Sequence, residues 1–200
     1  MNVAKYYESI RNDRHNPIRM LLVGGIPEFI PGLHRENVNG TVVYVGRCPS
    51  IIASNGAAMS AVFPMPMNNG EIRALILTDA IFDELSPKSQ EFLLLHEKGH
   101  IANGDLLRAI DDGTKPAGRI EKILSIIPGH QFRRNRKSDE ELRADAYAAD
   151  RLGADAGIRA LMESKALMKA PIGSIRSGKE IDRRIKALQK RRFTTPVVTA

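Results

Sequence analysis

The sequence predicts an α+β fold in which a small sheet precedes a mostly helical second half. Residues 1–85 contain short β-branched and aliphatic runs separated by glycine and proline, a pattern typical of strands and loops. Residues 86–192 instead contain longer segments bounded by helix-start and helix-stop residues. With 200 residues and 42% hydrophobic content, the chain can bury a core, and we expect one domain over residues 1–200.

The first half is expected to supply the strands. They are predicted over residues 18–23, 41–46, 59–63 and 71–79, and the last is the most convincing. A short polar helix is predicted over residues 2–14, whereas residues 26–40 have no clear period. A loop or hairpin turn is predicted over residues 64–70, which hold two prolines and an Asn-Asn-Gly run.

A central helix is predicted over residues 87–103. Ser86 offers a capping hydroxyl, Pro87 suits the first helical position, and Asn103-Gly104 is a good helix end. The helix is apolar nearly all round at residues 92–95, as expected of a buried helix. Further helices are predicted over residues 118–127, 138–152, 156–168 and 178–191, with a basic loop at 133–137.

The central helix carries the motif His96-Glu97-Lys98-Gly99-His100. Two histidines four residues apart lie on one helix face, where both imidazoles can bind a single zinc ion. Glu97 lies beside that face and is placed to act as a general base on a metal-bound water. Lys98 is unusual, because metallopeptidase helices commonly carry an uncharged residue at that position.

Catalytic zinc takes three protein ligands, so a third must come from elsewhere in the chain. The other histidines do not lie at the spacing at which a third histidine would extend the motif. A carboxylate from a later helix is the remaining common solution, and Glu141 supplies it. Asp145 lies four residues further on the same face, where it can accept the free ring N–H of a ligand histidine.

Other interpretations of these residues remain open at the level of sequence. Glu141 fits a capping box with Ser138, and Asp145 fits a surface ion pair with Arg143 or Arg151. The two helix histidines also fit a core-facing pair without metal. The metal site is favoured because the motifs together specify a site with three ligands. The small side chains at positions 144 and 148 permit the two helices to approach closely.

Three segments of the chain, at residues 59–105, 141–153 and 178–188, carry a family resemblance. The first holds a strand, a turn, a strand and the HExxH helix; the second is ELRADAYAADRLG and the third GKEIDRRIKAL. In order and spacing they resemble the gluzincin CAAX prenyl endopeptidases and heat-shock membrane endopeptidases, and especially the soluble minimal relatives of that family. Ser60 stands where the family has asparagine, ahead of the edge-strand alanine.

The resemblance implies a zincin-like fold, in which an edge strand of a small N-terminal sheet lines the cleft beside two metal-bearing helices. It implies one Zn²⁺ per chain, with His96, His100 and Glu141 as ligands. It also implies Glu97 as the general base and Asp145 as the carboxylate behind a ligand histidine. We therefore expect a zinc-dependent endopeptidase that acts on protein or peptide substrates.

Two other classes of function are weighed against this one. A catalytically silent, zinc-stabilised regulatory or binding protein is one alternative, and a repressor-cleaving or nucleic-acid-associated protease is the other. The second rests on residues 101–200, which carry 21 basic and 13 acidic side chains, against a net charge of +7 for the whole chain. A solvated helical face is the favoured interpretation of that basic excess.

The remaining expectations concern compartment and catalysis. A lone cysteine, Cys48, the lack of a signal-peptide pattern and the lack of a long apolar run predict a cytoplasmic protein without a membrane span. Tyr147, His130 and Arg184 are candidates to stabilise an oxyanion. Residues 1–40 are a candidate to cover the cleft and hold the protein latent.

Overall fold

The computed structural model describes residues 33–47, 59–66, 71–78, 81–108, 130–167 and 175–194, which form a mixed α+β structure. The predicted elements over residues 2–14, 18–23 and 118–127 lie outside the described residues. The described strands are β1 (His34–Val38), β2 (Thr41–Arg47), β3 (Ser60–Pro66) and β4 (Ile72–Thr78). The four long described helices are α1 (Pro87–Ala102), α2 (His130–Leu152), α3 (Ala154–Leu167) and α4 (Ile175–Thr194).

The strands form one sheet in the order β1-β2-β4-β3. β4 is central and is buried over most of its length, which explains its strong apolar signal in the sequence. It pairs parallel with β2 and antiparallel with β3. This order leaves β3 at one edge of the sheet, paired with β4 through residues 60–66.

β1 was not expected from the sequence. It forms a hairpin with β2 in which Val38 faces Thr41, so only Asn39 and Gly40 lie in the turn. Both turn residues have positive φ, at 50° and 84°, as a two-residue hairpin turn requires. The Asn-Gly pair is a sequence signal for a hairpin turn. The strand His34–Val38 that precedes it is almost entirely polar, so no alternating apolar pattern indicated a strand there.

The prediction of a loop that starts at residue 64 is wrong, because β3 continues through Pro64 to Pro66. Proline cannot donate a hydrogen bond to a neighbouring strand, and edge strands tolerate that loss. The two prolines therefore fit the position of β3 at the edge of the sheet.

The predicted basic loop at residues 133–137 is also wrong, because α2 begins at His130 and passes through it. Residues 130–137 contain no glycine or proline, and they include good helix formers such as glutamine, arginine and lysine. Ser138 consequently lies inside the helix, which removes the capping box proposed for Ser138 and Glu141.

The predicted start of α1 is confirmed and the helix ends one residue before the predicted end, but the role of Ser86 differs from the prediction. The Ser86 side chain makes no capping hydrogen bond to the helix backbone. Its hydroxyl and its backbone N–H instead donate to the Glu163 carboxylate on α3, at 2.9 and 3.0 Å. At the other end Gly104 takes the predicted left-handed conformation, with φ of 73°.

Helix α1 lies between the sheet and the other three helices. One buried cluster joins the sheet to α1 and includes Val43, Ile76 and Ile101. A second cluster joins α1 to α3 and α4 and includes Phe92, Leu161 and Leu188. Because α1 contributes to both cores, side chains along it are held from two sides.

Candidate metal centre

Helices α1 and α2 approach closely at Gly99 and Ala144. A Cβ atom added to Gly99 would lie 2.9 Å from the Ala144 Cα and 3.0 Å from its carbonyl oxygen. Ala144 and Ala148 are fully buried, as expected from their small size in the sequence. Gly99 lies one residue before His100, and Ala144 three residues after Glu141. This contact therefore sets the distance between the two halves of the candidate site.

His96, His100 and Glu141 converge at this crossing. The Nε2 atoms of the two histidines are 3.1 Å apart. Glu141 Oε2 lies 3.3 Å from His96 Nε2, and Glu141 Oε1 lies 3.5 Å from His100 Nε2. These three residues, called the triad below, form a group that could hold a metal ion.

The donor atoms of these residues lie close enough together to share one ion. A tetrahedral ion with ligand bonds of about 2.1 Å has donor atoms about 3.4 Å apart, and one donor atom from each of the three residues lies within 4.8 Å of the other two. Two nitrogens and one oxygen are also a donor set that zinc accepts in catalytic sites. The residues present therefore fit zinc, and a tetrahedron with three protein donors keeps one position open.

Asp145 and Arg184 support His96 from behind. His96 Nδ1 lies 2.9 Å from Asp145 Oδ1, so the carboxylate can accept the hydrogen bond from the ring N–H. The other ring nitrogen, Nε2, then remains unprotonated and can bind a metal. Arg184 donates to both Asp145 oxygens at 2.7 Å and lies 2.9 Å from Glu141. The alternative pairing of Asp145 with Arg143 or Arg151 is not observed, since Asp145 faces the site and is 1% exposed.

Asp105 supports His100 in the same way and was missed in the sequence. Its Oδ2 lies 2.9 Å from His100 Nδ1. Arg108 and Arg143 pair with its other oxygen. Asp105 follows the α1 terminus at Gly104, which turns the chain back toward His100. An acidic residue directly after the helix-ending glycine was the only local signal for this contact.

Burial and hydrogen bonding oppose each other at the two histidines. Burial lowers the pKa of His100, but hydrogen bonds with Asp105 and Glu141 outweigh it and raise the pKa to about 10. For His96, burial and the Arg184 charge lower the pKa, while hydrogen bonds with Asp145 and Glu141 leave it raised overall. Without metal both imidazoles therefore favour the charged form, and the carboxylates of Asp105, Glu141 and Asp145 face them.

The carboxylates respond in the opposite direction. Burial raises the pKa of Glu141, yet hydrogen bonds from both histidines hold it far below its ordinary value. The same balance lowers the pKa of Asp145, where the Arg184 guanidinium is the main stabilising charge. Glu141 is therefore ionised at neutral pH, the form in which a carboxylate binds metal.

Glu97 faces the same space as the triad and is 7% exposed. The Ser60 hydroxyl at the start of β3 donates to Glu97 Oε1 at 2.8 Å. Met59, directly before Ser60, has a φ of 72°, which is strained for a residue other than glycine. Ser60 thus fixes one oxygen of the Glu97 carboxylate, and the other oxygen takes no part in this hydrogen bond.

Lys98 points away from the triad. Its ammonium group pairs with Glu36 on β1. Burial raises the pKa of Glu36, but Lys98 and His34 outweigh it and lower the pKa below its ordinary value. Lys98, the unusual residue of the motif, therefore forms an ion pair that links α1 to β1. The sequence did not predict this strand.

A cavity of about 530 Å³ contains the triad and Glu97. Arg184 lines it, but its N–H groups already donate to Asp145 and Glu141. Tyr147 does not line it, and its ring instead packs 3.5 Å from the Arg151 guanidinium carbon. Of the three oxyanion candidates, only Arg184 is thus seen at the cavity, since the side chain of His130 is outside the described residues.

Several basic side chains of the second half form ion pairs on the described surface. Arg183 pairs with Asp139 and Arg192 with Asp155, each at 3.2 Å. Lys165 pairs with Asp182 at 2.6 Å. These pairs lie on solvated helical faces, whereas the side chains of the basic run at residues 133–137 lie outside the described residues. Among the described helices, none is long and apolar enough to cross a membrane.

Comparisons with protein families, with curated proteins and with solved structures found no match to this chain.

Proposed function

We propose that this protein is a zinc-dependent endopeptidase with a zincin-like arrangement of its cleft. The observation that carries the proposal is the convergence of His96, His100 and Glu141, each of which offers one ligand atom within 4.8 Å of the other two. The placement of Glu97 in the same cavity supports catalysis over a structural role. A purely structural zinc site has four protein ligands and needs no neighbouring base.

The role of each residue follows from its contacts. A zinc ion held by the triad would supply a Lewis acid that lowers the pKa of water toward about 7 and polarises a carbonyl. Glu97 would accept a proton from the attacking water through the oxygen that Ser60 does not bind, and would return it to the leaving amine. Asp145 and Asp105 would hold the two imidazoles with Nε2 turned toward the ion.

The edge position of β3 supports an extended peptide as the substrate. Residues 60–62 line the cavity, and β3 pairs with β4 alone among the described strands. An extended peptide can add to a free strand edge through main-chain hydrogen bonds. A peptide bound there would run past Ser60 and bring its carbonyl groups toward Glu97.

The test compares wild type with Glu97→Gln, each loaded with zinc, on a mixture of unstructured peptides analysed by mass spectrometry. We expect cleavage by wild type and a loss of at least about 10³-fold in the variant, with one zinc per chain in both. Cleavage by Glu97→Gln at the wild-type rate would refute the role of Glu97. A wild type that holds zinc but cleaves nothing would favour the zinc-stabilised binding protein instead.

A further inference from the structure

The cavity has an apolar end that the proposed chemistry does not use. Met59, Leu93, Leu161 and Ile181 line it, and all four belong to the buried cluster between α1, α3 and α4. Leu93 and His96 are three residues apart on α1, as are Ile181 and Arg184 on α4, so each pair lies on one helix face. The apolar end is therefore directly continuous with the triad.

Ser164 on α3 lies three residues after Leu161 and lines the same cavity. The residue is 5% exposed, and its hydroxyl has no hydrogen-bond partner in the described part of the chain. A serine inside a helix commonly bonds the carbonyl four residues earlier, which Ser164 does not do. Leaving a buried hydroxyl unpaired is unfavourable, so its presence calls for a partner that enters the cavity.

Two other buried polar atoms lack a hydrogen-bond partner among the described residues, on Asn103 and Arg108, but neither residue lines the cavity. Ser164 is thus distinguished by its position in an apolar pocket beside the triad. The carboxylates of Glu140, Glu141 and Glu180 also line the cavity. These carboxylates are paired with basic side chains, so an acidic group that entered the apolar end would find no described free cation there and would lose its hydration.

We infer that the apolar end of the cavity is the pocket for one side chain of the bound peptide, and that Ser164 selects an uncharged side chain with a hydrogen-bonding tip. Glutamine fits this description, because its methylene groups can pack against Leu93 and Leu161 and its amide can form a hydrogen bond with the Ser164 hydroxyl. Methionine has nearly the same shape but cannot satisfy the hydroxyl, and glutamate carries the disfavoured charge. The inference rests on the proposed function only in taking a peptide as the occupant.

The inference is tested by measuring peptide binding, without any measurement of peptide cleavage. The probes are acetylated alanine-based peptide amides in which one position carries glutamine, methionine or glutamate, and that position is moved along the peptide. Their affinities are measured for zinc-loaded Glu97→Gln protein, in which peptides stay intact, and for the same protein with Ser164→Ala added. Ser89→Ala is the matched control, since Ser89 is a fully buried serine that does not line the cavity.

At one position we expect the glutamine peptide to bind about tenfold more tightly than the methionine peptide, and the glutamate peptide to bind most weakly. Ser164→Ala should bring the glutamine-to-methionine ratio to about one or reverse it, with an unchanged or higher melting temperature, whereas Ser89→Ala should keep the ratio. An equal ratio with and without the Ser164 hydroxyl overturns the inference, as does the absence of binding by every peptide. If the wild type binds the glutamine peptide selectively but hydrolyses no peptide, the proposed function is refuted while the inferred pocket is still supported.

Discussion

Substitution of Gly99 by alanine tests how the helix crossing builds the metal site. The added Cβ would lie 2.9 Å from the Ala144 Cα, whereas carbon atoms in contact normally lie about 3.5–4.0 Å apart. Helices α1 and α2 must therefore separate by about 0.5–1 Å. Overpacking of this kind costs about 1–3 kcal/mol, which the helix propensity of alanine offsets by about 1 kcal/mol.

The same displacement moves Glu141 on α2 away from the two histidines on α1. Binding sites must hold their groups to within about 0.5 Å, so the separation is large enough to disturb the triad. We expect Gly99→Ala to weaken zinc binding by about 10–100-fold, the range typical of disturbed ligand support. Zinc affinity is measured by competition with a chromogenic chelator, and folding by circular dichroism.

Two other glycines supply controls. A Cβ at Gly178 meets nothing within 4 Å, so Gly178→Ala should leave zinc affinity unchanged and stability unchanged or raised. A Cβ at Gly157 would lie 2.6 Å from the Phe92 ring and 2.8 Å from a Leu188 methyl group, both of them side chains of the helical core. Gly157→Ala should therefore reduce stability while zinc affinity stays within about threefold. Wild-type zinc affinity in Gly99→Ala would refute the reasoning.

Four further predictions follow from individual contacts. Ser60→Ala should lower kcat about tenfold with zinc content unchanged, and Ser60→Thr should retain most of the activity; an equal loss in both would contradict positioning by the hydroxyl. Asp105→Ala should weaken zinc binding about 10–100-fold in a chelator competition, and unchanged affinity would exclude its support of His100. Lys98→Met should lower the free energy of unfolding by about 1 kcal/mol and leave kcat/KM within about threefold; a large loss of activity would show that Lys98 serves the chemistry. Because the pKa of His100 is raised to about 10, its contribution to the stability of the metal-free protein is complete below about pH 6.5 and is lost as the pH rises through 10. Denaturant titrations of metal-free protein should therefore show lower stability at pH 9.5 than at pH 6.5, and zinc should stabilise more at the higher pH; a metal-free protein that gains stability would contradict this pKa.

The parts of the site that follow a helical period could be predicted from the sequence. His96 and His100 repeat at four residues on α1, and Glu141 and Asp145 repeat at four residues on α2, so each pair shares a face whatever the rest of the chain does. The small residue at position 144 indicated that the two helices could meet. These local rules need no knowledge of the tertiary fold.

The contacts that the sequence did not reveal depend on how distant segments pack. Ser60 donates a hydrogen bond to Glu97, which lies 37 residues later in the chain. The partner of Lys98 lies on β1, a strand too polar to show an alternating pattern. The cavity beside Ser164 is formed only where α1, α3 and α4 pack together. Periodicity along one segment carries no information about such contacts.

The measurement that tests the central claim most directly is the zinc content of wild type and Glu141→Ala by elemental mass spectrometry after exhaustive dialysis. The geometry of His96, His100 and Glu141 predicts one zinc per chain in wild type and less than about 0.2 in the variant, because two imidazoles alone hold the ion weakly. Equal zinc in the two proteins, or none in wild type, would contradict the account.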